Sequence, residues 1–185
     1  MLELREDGVV RQGWDLSCGA AALSTVLTRT LRDPVPEPEI VAALLRGADA
    51  AKIRARGGFS LLDLKRYATA RGHAAAGYGN LDLPSLGALG TAIVPVADRA
   101  GPHFVVFNGV TRGRAILSDP AYGHRALSLE AFDAIWTPRV AFVVVRADSA
   151  VPGERRDLPD DALAAVVPLV APRVVRNAVS TAVRR

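Results

Sequence analysis

Read for its hydrophobic period, the chain changes character near residue 73. Before that point apolar residues recur at helical spacing. Gly19 to Leu31 predicts a helix turning Ala22, Leu23, Val26 and Leu27 inward, closed by Asp33, Pro34 and Pro36 because proline cannot continue it. Pro38 to Arg46 predicts a second helix on Ile40, Leu44 and Leu45, and Arg56 to Ser60 a turn. A third helix starts at Ser60, where Ser60 and Asp63 have the spacing of a capping box, and Gly72 is placed to end it.

Beyond residue 73 short apolar, β-branched runs take over. Strands are expected over His73 to Tyr78, Ala92 to Ala97, His103 to Phe107, Ala115 to Ser118 and Val140 to Val145. Turns around Asn108-Gly109 and Arg112-Gly113 link the middle runs. Leu83 to Leu89 reads as a short helix or loop, and Ser128 begins a short helix through Glu130, Phe132 and Ile135. Helices first and mostly antiparallel strands afterwards predict an α+β domain, with the N-terminal helices packed on the sheet.

The organisation follows from a second shift of texture. Residues 1–148 read as one domain, and residues 149–185 as a linker, Pro152 to Pro159, and an apolar helical tail from Asp161 to Arg185 interrupted by Pro168 and Pro172. Arg173, Arg176, Arg184 and Arg185 among valines and alanines suit that tail either to a membrane surface or to its own domain. No run of about twenty apolar residues predicts a transmembrane helix. The first residues also lack the basic start and apolar stretch of a signal peptide.

Half of the residues are hydrophobic, and 23 basic side chains against 19 acidic ones leave a mild net charge of +4. A nucleic-acid partner is not implied. The single cysteine, Cys18, excludes an intrachain disulfide framework and a multi-cysteine zinc site, and no cofactor is expected.

A lone cysteine is ordinarily a small buried apolar residue. Cys18, however, stands where a loop turns into an Ala-rich helix, and the positive end of a helix dipole favours thiolate over thiol. Gln12, six residues upstream, supplies an amide donor suited to an oxyanion. A thiol nucleophile needs an imidazole base, and the sequence has three histidines, His73, His103 and His124. His103 is best placed, between the loop of Gly101-Pro102 and the strand from Phe104. His73 follows a helix-ending glycine, where a cation meets the last carbonyls, and His124 follows Tyr122-Gly123 in a turn expected to face solvent. Asp119 ends a strand one hairpin from His103 and suits an imidazole-orienting carboxylate, although an aspartate before proline is also an ordinary turn initiator.

Gln12, Cys18 to Leu23, Gly58 to Leu64, His103 to Val106, Asp119 to Gly123, and Phe132 with Trp136 resemble the successive blocks of a peptidase C39 domain, in order from Val9 to Arg146. The resemblance implies a papain-like cysteine protease fold. It makes Cys18 the nucleophile, His103 the general base and later acid, Asp119 the orienter of the imidazole, and Gln12 an oxyanion-hole donor beside the backbone N–H of Cys18. Members fused to ABC exporters cut leader peptides after a double glycine. This chain contains neither a transporter membrane domain nor a G-x-x-x-x-G-K-[ST] string, and is similar instead to free-standing, exported members in Gram-negative bacteria, some of which accompany functional amyloid secretion. The implied activity is cleavage of a peptide bond in an exported protein or peptide through a thioester acyl-enzyme. The implied partners are a peptide or protein substrate and a secretion system. The implied place is the periplasm, after loss of a signal peptide, with the cytoplasm as the alternative. A non-cleaving peptide-binding module, and an acyltransferase or amidase on the same scaffold, are the competing functions.

Overall fold

The computed structural model describes residues 8–14, 16–47, 50–99, 101–151 and 158–167. Residues 152–157 of the predicted linker and the tail beyond 167 lie outside the described residues. Helix α1 (Cys18–Thr25) runs into a π-helical turn (Val26–Thr30), followed by α2 (Glu37–Arg46), α3 (Ala50–Arg56) and α4 (Leu61–Ala70). Then come β1 (His73–Tyr78), α5 (Leu83–Leu89), β2 (Ala92–Asp98), β3 (Gly101–Thr111), β4 (Arg114–Asp119), β5 (Gly123–Ser128), α6 (Leu129–Ile135), β6 (Ala141–Arg146) and α7 (Asp160–Ala165). The strands form one six-stranded sheet in the order β1-β6-β2-β3-β4-β5, with antiparallel pairing throughout. The α+β expectation holds, with helices first and an antiparallel sheet after them.

Alternation along the strands divides the core between the two faces of the sheet. Phe104 and Val106 of β3, Ile93 of β2, and Phe142 and Val144 of β6 pack with α1, α2 and α4. Val105, Phe107, Val94, Val96 and Val143 pack on the other face with Leu86 of α5, Phe132 of α6 and Trp136 just after it. Stacked rings of Phe107, Phe132 and Trp136 fill this second layer. Helix α1 is buried on every side, all eight residues of it, because it lies between β3 and the helices α2 and α4. Its Cys-Gly-Ala-Ala-Ala start is what allows that closeness. A Cβ on Gly19 would stand 3.2 Å from the Phe104 ring.

Caps fix the helix starts. The Ser60–Asp63 box forms as expected, Asp63 N donating to Ser60 Oγ at 3.2 Å and Ser60 N to Asp63 Oδ2 at 2.8 Å. Asp82 and Ser128 cap α5 and α6 in the same manner. Residues 158–167 lie on the domain itself, Leu163 of α7 joining the core on the α4 side and Leu158 N donating to Gly77 O at 2.6 Å. A Cβ at Gly77 would stand 2.3 Å from Leu163 Cδ2, so a larger residue there would have to move that leucine.

Four expectations need correction. The first helix does not stay α-helical to Leu31: its last turn widens, with Leu31 N bonding Val26 O. A short helix, α3, fills Ala50–Arg56, which the sequence pattern did not mark. No turn forms at Asn108-Gly109. There β3 continues to Thr111 through a bulge between Phe107 and Val110, and the hairpin turns at Arg112 and Gly113, both at positive φ. Lastly, His124 does not lie in a solvent-facing turn. It is half-buried in β5, with Nδ1 3.4 Å from Ser118 Oγ.

Candidate functional site

The site gathers at one end of the sheet, where β3 begins, β4 ends and α1 starts. Cys18 is the first residue of α1, and Phe104 is the neighbouring residue on β3 whose backbone reaches the sulfur. First-turn amides of a helix have no intrahelical carbonyl to bond, so those of Cys18 and Gly19 are free to serve the thiol. The expected low thiol pKa is nevertheless corrected. Cys18 is only 2% exposed, and burial pushes its pKa up to about 11 although the amides of Phe104 and Gly19 pull it down. The loss of solvation at the bottom of the packed helix outweighs the dipole at its start.

His103 and Asp119 are hydrogen-bonded to each other. His103 Nε2 lies 3.1 Å from Asp119 Oδ2, and His103 Nδ1 lies 3.1 Å from the Gly101 carbonyl oxygen. Both partners are acceptors, so the arrangement suits an imidazole with a proton on each nitrogen. Burial opposes that charged form, but the hydrogen bond and charge of Asp119 prevail and raise the His103 pKa above its ordinary value. Among the described residues no hydrogen bond joins Cys18 to His103. The ring edge of His103 meets Tyr122, centroid to centroid 6.4 Å.

Asp119 is fully buried, yet its carboxylate has four donors: His103 Nε2 and Arg125 Nη1 on Oδ2, and the backbone amides of Ala121 and Tyr122 on Oδ1. Burial raises its pKa, and the bonds from His103 and Arg125 reverse that, leaving it below the usual carboxylate range. The strand-ending position explains the geometry. At Pro120 the chain turns, and the turn's amides fold back on the carboxylate as in an Asx turn. Different oxygens of this one side chain bond the turn amides and the imidazole.

Gln12 reaches this region through its backbone. Its N–H donates to Pro120 O at 3.1 Å, and the Arg11 guanidinium donates to Ala121 O at 2.6 Å, so the segment before Cys18 lies along the segment after Asp119. The Gln12 side-chain amide donates to Trp14 O at 3.3 Å. His73 belongs elsewhere: with Arg71 it holds Asp33, whose pKa the Arg71 and His73 bonds bring down to about 2.

Sequence reasoning missed two residues that hold the site. Glu37, only 5% exposed, accepts the Gly13 N–H on both oxygens at 2.9 and 3.1 Å and the Ser17 hydroxyl on Oε1 at 2.5 Å. This one carboxylate from α2 thereby fixes both ends of the loop that leads into Cys18. An acidic residue in the first turn of a helix reads simply as a dipole complement, so nothing in the pattern signalled it. The second is Arg125, an arginine of β5 that bonds Asp98 and Asp119. Glu37→Ala is expected to lower stability by about 2 kcal/mol, as buried donors lose their acceptor, whereas Glu37→Gln keeps an acceptor and loses less. Thermal unfolding checks this, and an Ala variant that melts with the wild type would remove Glu37 from the loop's support.

The Peptidase C39 family model matches residues 7–149. A probable functional amyloid protease, FapD, of Pseudomonas aeruginosa is 36% identical over 144 residues, which are 77% of this chain and 62% of that protein. The chain thus spans about three-fifths of that relative's length. A double glycine motif protease from an AMS/PCAT transporter, solved in complex with its leader peptide, is 26% identical with a TM-score of 0.59, over 75% of this chain and 90% of that one. The peptidase domain of Streptococcus ComA, a bifunctional ABC transporter of a quorum-sensing pathway, shares the fold at 20% identity and a TM-score of 0.60, over 74% of this chain and 96% of that one. With a family model covering most of its length and the fold to match, the chain belongs to the peptidase C39 family.

Proposed function

We propose that this protein is a cysteine peptidase that cuts a peptide bond in an exported peptide or protein through a thioester at Cys18. The observation that carries the reading is the His103–Asp119 pair at the mouth of the helix that begins with Cys18. Asp119 holds Nε2, which leaves Nδ1 as the working nitrogen. With the imidazole neutral and its remaining proton kept on Nε2, Nδ1 turns from the Gly101 carbonyl to the sulfur and takes the thiol proton. The thiolate then adds to the scissile carbonyl, and the oxyanion is met by the Cys18 N–H and by the Gln12 amide once it leaves Trp14 O. Collapse returns the His103 proton to the departing amine and leaves a thioester, which water hydrolyses to a carboxylic acid and the free thiol. No metal is needed in this scheme.

Two relations favour the substrate class. The relative 36% identical is named for functional amyloid, and the 26% identical structure is a protease of double glycine motifs bound to a leader peptide. A Gly-Gly site in a protein of an amyloid export system, met in the periplasm, is therefore the specific form of the proposal. Among the described residues no helix is long and apolar enough to cross a membrane.

Purified protein incubated with a panel of peptides, some carrying Gly-Gly and some not, tests the reading by mass spectrometry. Two fragments with a new carboxyl terminus after Gly-Gly are expected. Peptides bound but intact would support a binding module instead, and products carrying an added amine would indicate acyl transfer.

A further inference from the structure

Around His103 the charges form a short relay that continues past the pair just described. Arg125 Nη1, on β5, lies 2.8 Å from Asp119 Oδ2 and 2.8 Å from Asp98 Oδ2 at the end of β2. Asp119 Oδ2 thus receives two donors, one from His103 and one from Arg125, that compete for the same lone pairs and the same charge. Asp98 draws Arg125 the other way. The geometry points to Arg125 and Asp98 as positioning residues that set how strongly Asp119 holds the proton on His103.

The physical basis is charge balance in a small, mostly buried cluster. Ligand-type atoms of Asp98, His103 and Asp119 all lie within 4.8 Å of one another, and the Arg125 guanidinium bonds both carboxylates, so with a protonated His103 the cluster is neutral. Cys18, at the start of α1, feels the Asp119 charge, the Tyr122 ring covers one edge of the imidazole, and the same ring lies 5.5 Å from the Arg125 guanidinium carbon, holding that side chain over the site. Arg99 and His124 line, with Asp98, Tyr122 and Arg125, a groove of about 770 Å³ beside it. Arg125 is partly open to this groove, its side chain 24% exposed, so it can be replaced without emptying the core.

Opposite effects follow from the two members. Without the Arg125 charge, the Asp119 Oδ2 that Arg125 shares with His103 is left to the imidazole and favours its cation. Without the Asp98 charge, Arg125 turns wholly to Asp119 and weakens its hold on the proton. A merely structural role would move both variants alike, or neither.

This inference builds on the proposed role of His103, but it is read from the imidazole itself and not from turnover. The experiment is an NMR titration of the histidine ring protons in the full chain, with His103→Asn assigning the resonance. Arg125→Gln is expected to raise the His103 midpoint by about one pH unit, tenfold in proton affinity, Arg125→Lys to stay close to wild type, and Asp98→Asn to lower it. An unchanged or lowered midpoint in Arg125→Gln would overturn the proposal. Should that variant not fold, a midpoint unchanged or raised in Asp98→Asn would do the same. Expected shifts in a protein that cuts no peptide would uphold the relay while the peptidase reading fails.

Discussion

Replacing Cys18 with alanine is expected to lower peptide cleavage by on the order of 10⁵-fold or more while leaving the fold intact. The magnitude follows from the role assigned. A nucleophile acts in every turnover and nothing else in the chain replaces it, since no second cysteine exists. The fold survives because the change is small. After Gly19 come three alanines that already pack inside α1, and a methyl in place of the thiol keeps the helix against Phe104 at a cost of about 1 kcal/mol. Circular dichroism and thermal unfolding check the second half of the statement. Cleavage retained in the purified variant would remove Cys18 from the chemistry.

Asp119→Ala should have the next largest effect, and on two measurements at once. Turnover is expected to fall about 10³–10⁴-fold, because the imidazole loses the group that fixes its Nε2 proton and its orientation. Stability should fall by about 3 kcal/mol, because the variant leaves Arg125 and His103 in a buried site without their acceptor. The pH dependence has a definite sign. Asp119 has a lowered pKa in the folded protein, so its contribution is present above the ordinary carboxylate range and is lost as pH falls through the folded value. The stability gap between wild type and variant should therefore be full near neutrality and close in acid. His103, with a raised pKa, contributes below its unfolded value and loses that contribution as pH rises through the folded one. A variant of normal stability and activity would contradict the site as described.

Local signals were readable wherever a short rule decides the structure. The Ser60–Asp63 spacing specifies the start of α4, and prolines after the first helix mark its end, because caps and missing N–H groups act within a few residues. Burial was harder to read. The helix-start rule for Cys18 counts the dipole alone, whereas the thiol's environment is decided by β3, α2 and α4 closing over α1. Strand β5, Gly123–Ser128, alternates too weakly to announce itself, being an edge strand with one neighbour. For the same reason Arg125, half of the relay beside His103, looked like any exposed arginine. Asn108-Gly109 carries a strong turn signal, and the structure uses its conformational freedom for a bulge instead. Glu37 shows the same limit from the other side. Its charge is satisfied by Gly13 and Ser17, partners some twenty residues away in sequence that no local pattern connects to it.

The most direct test of the peptidase account is to catch the acyl-enzyme. Wild-type protein mixed with a Gly-Gly peptide and quenched in acid within its first turnovers should gain the mass of the peptide's N-terminal fragment, and digestion should place that mass on Cys18 as a thioester that hydroxylamine removes. Cleavage that proceeds with no adduct at Cys18, or with the fragment attached to another residue, would contradict the account.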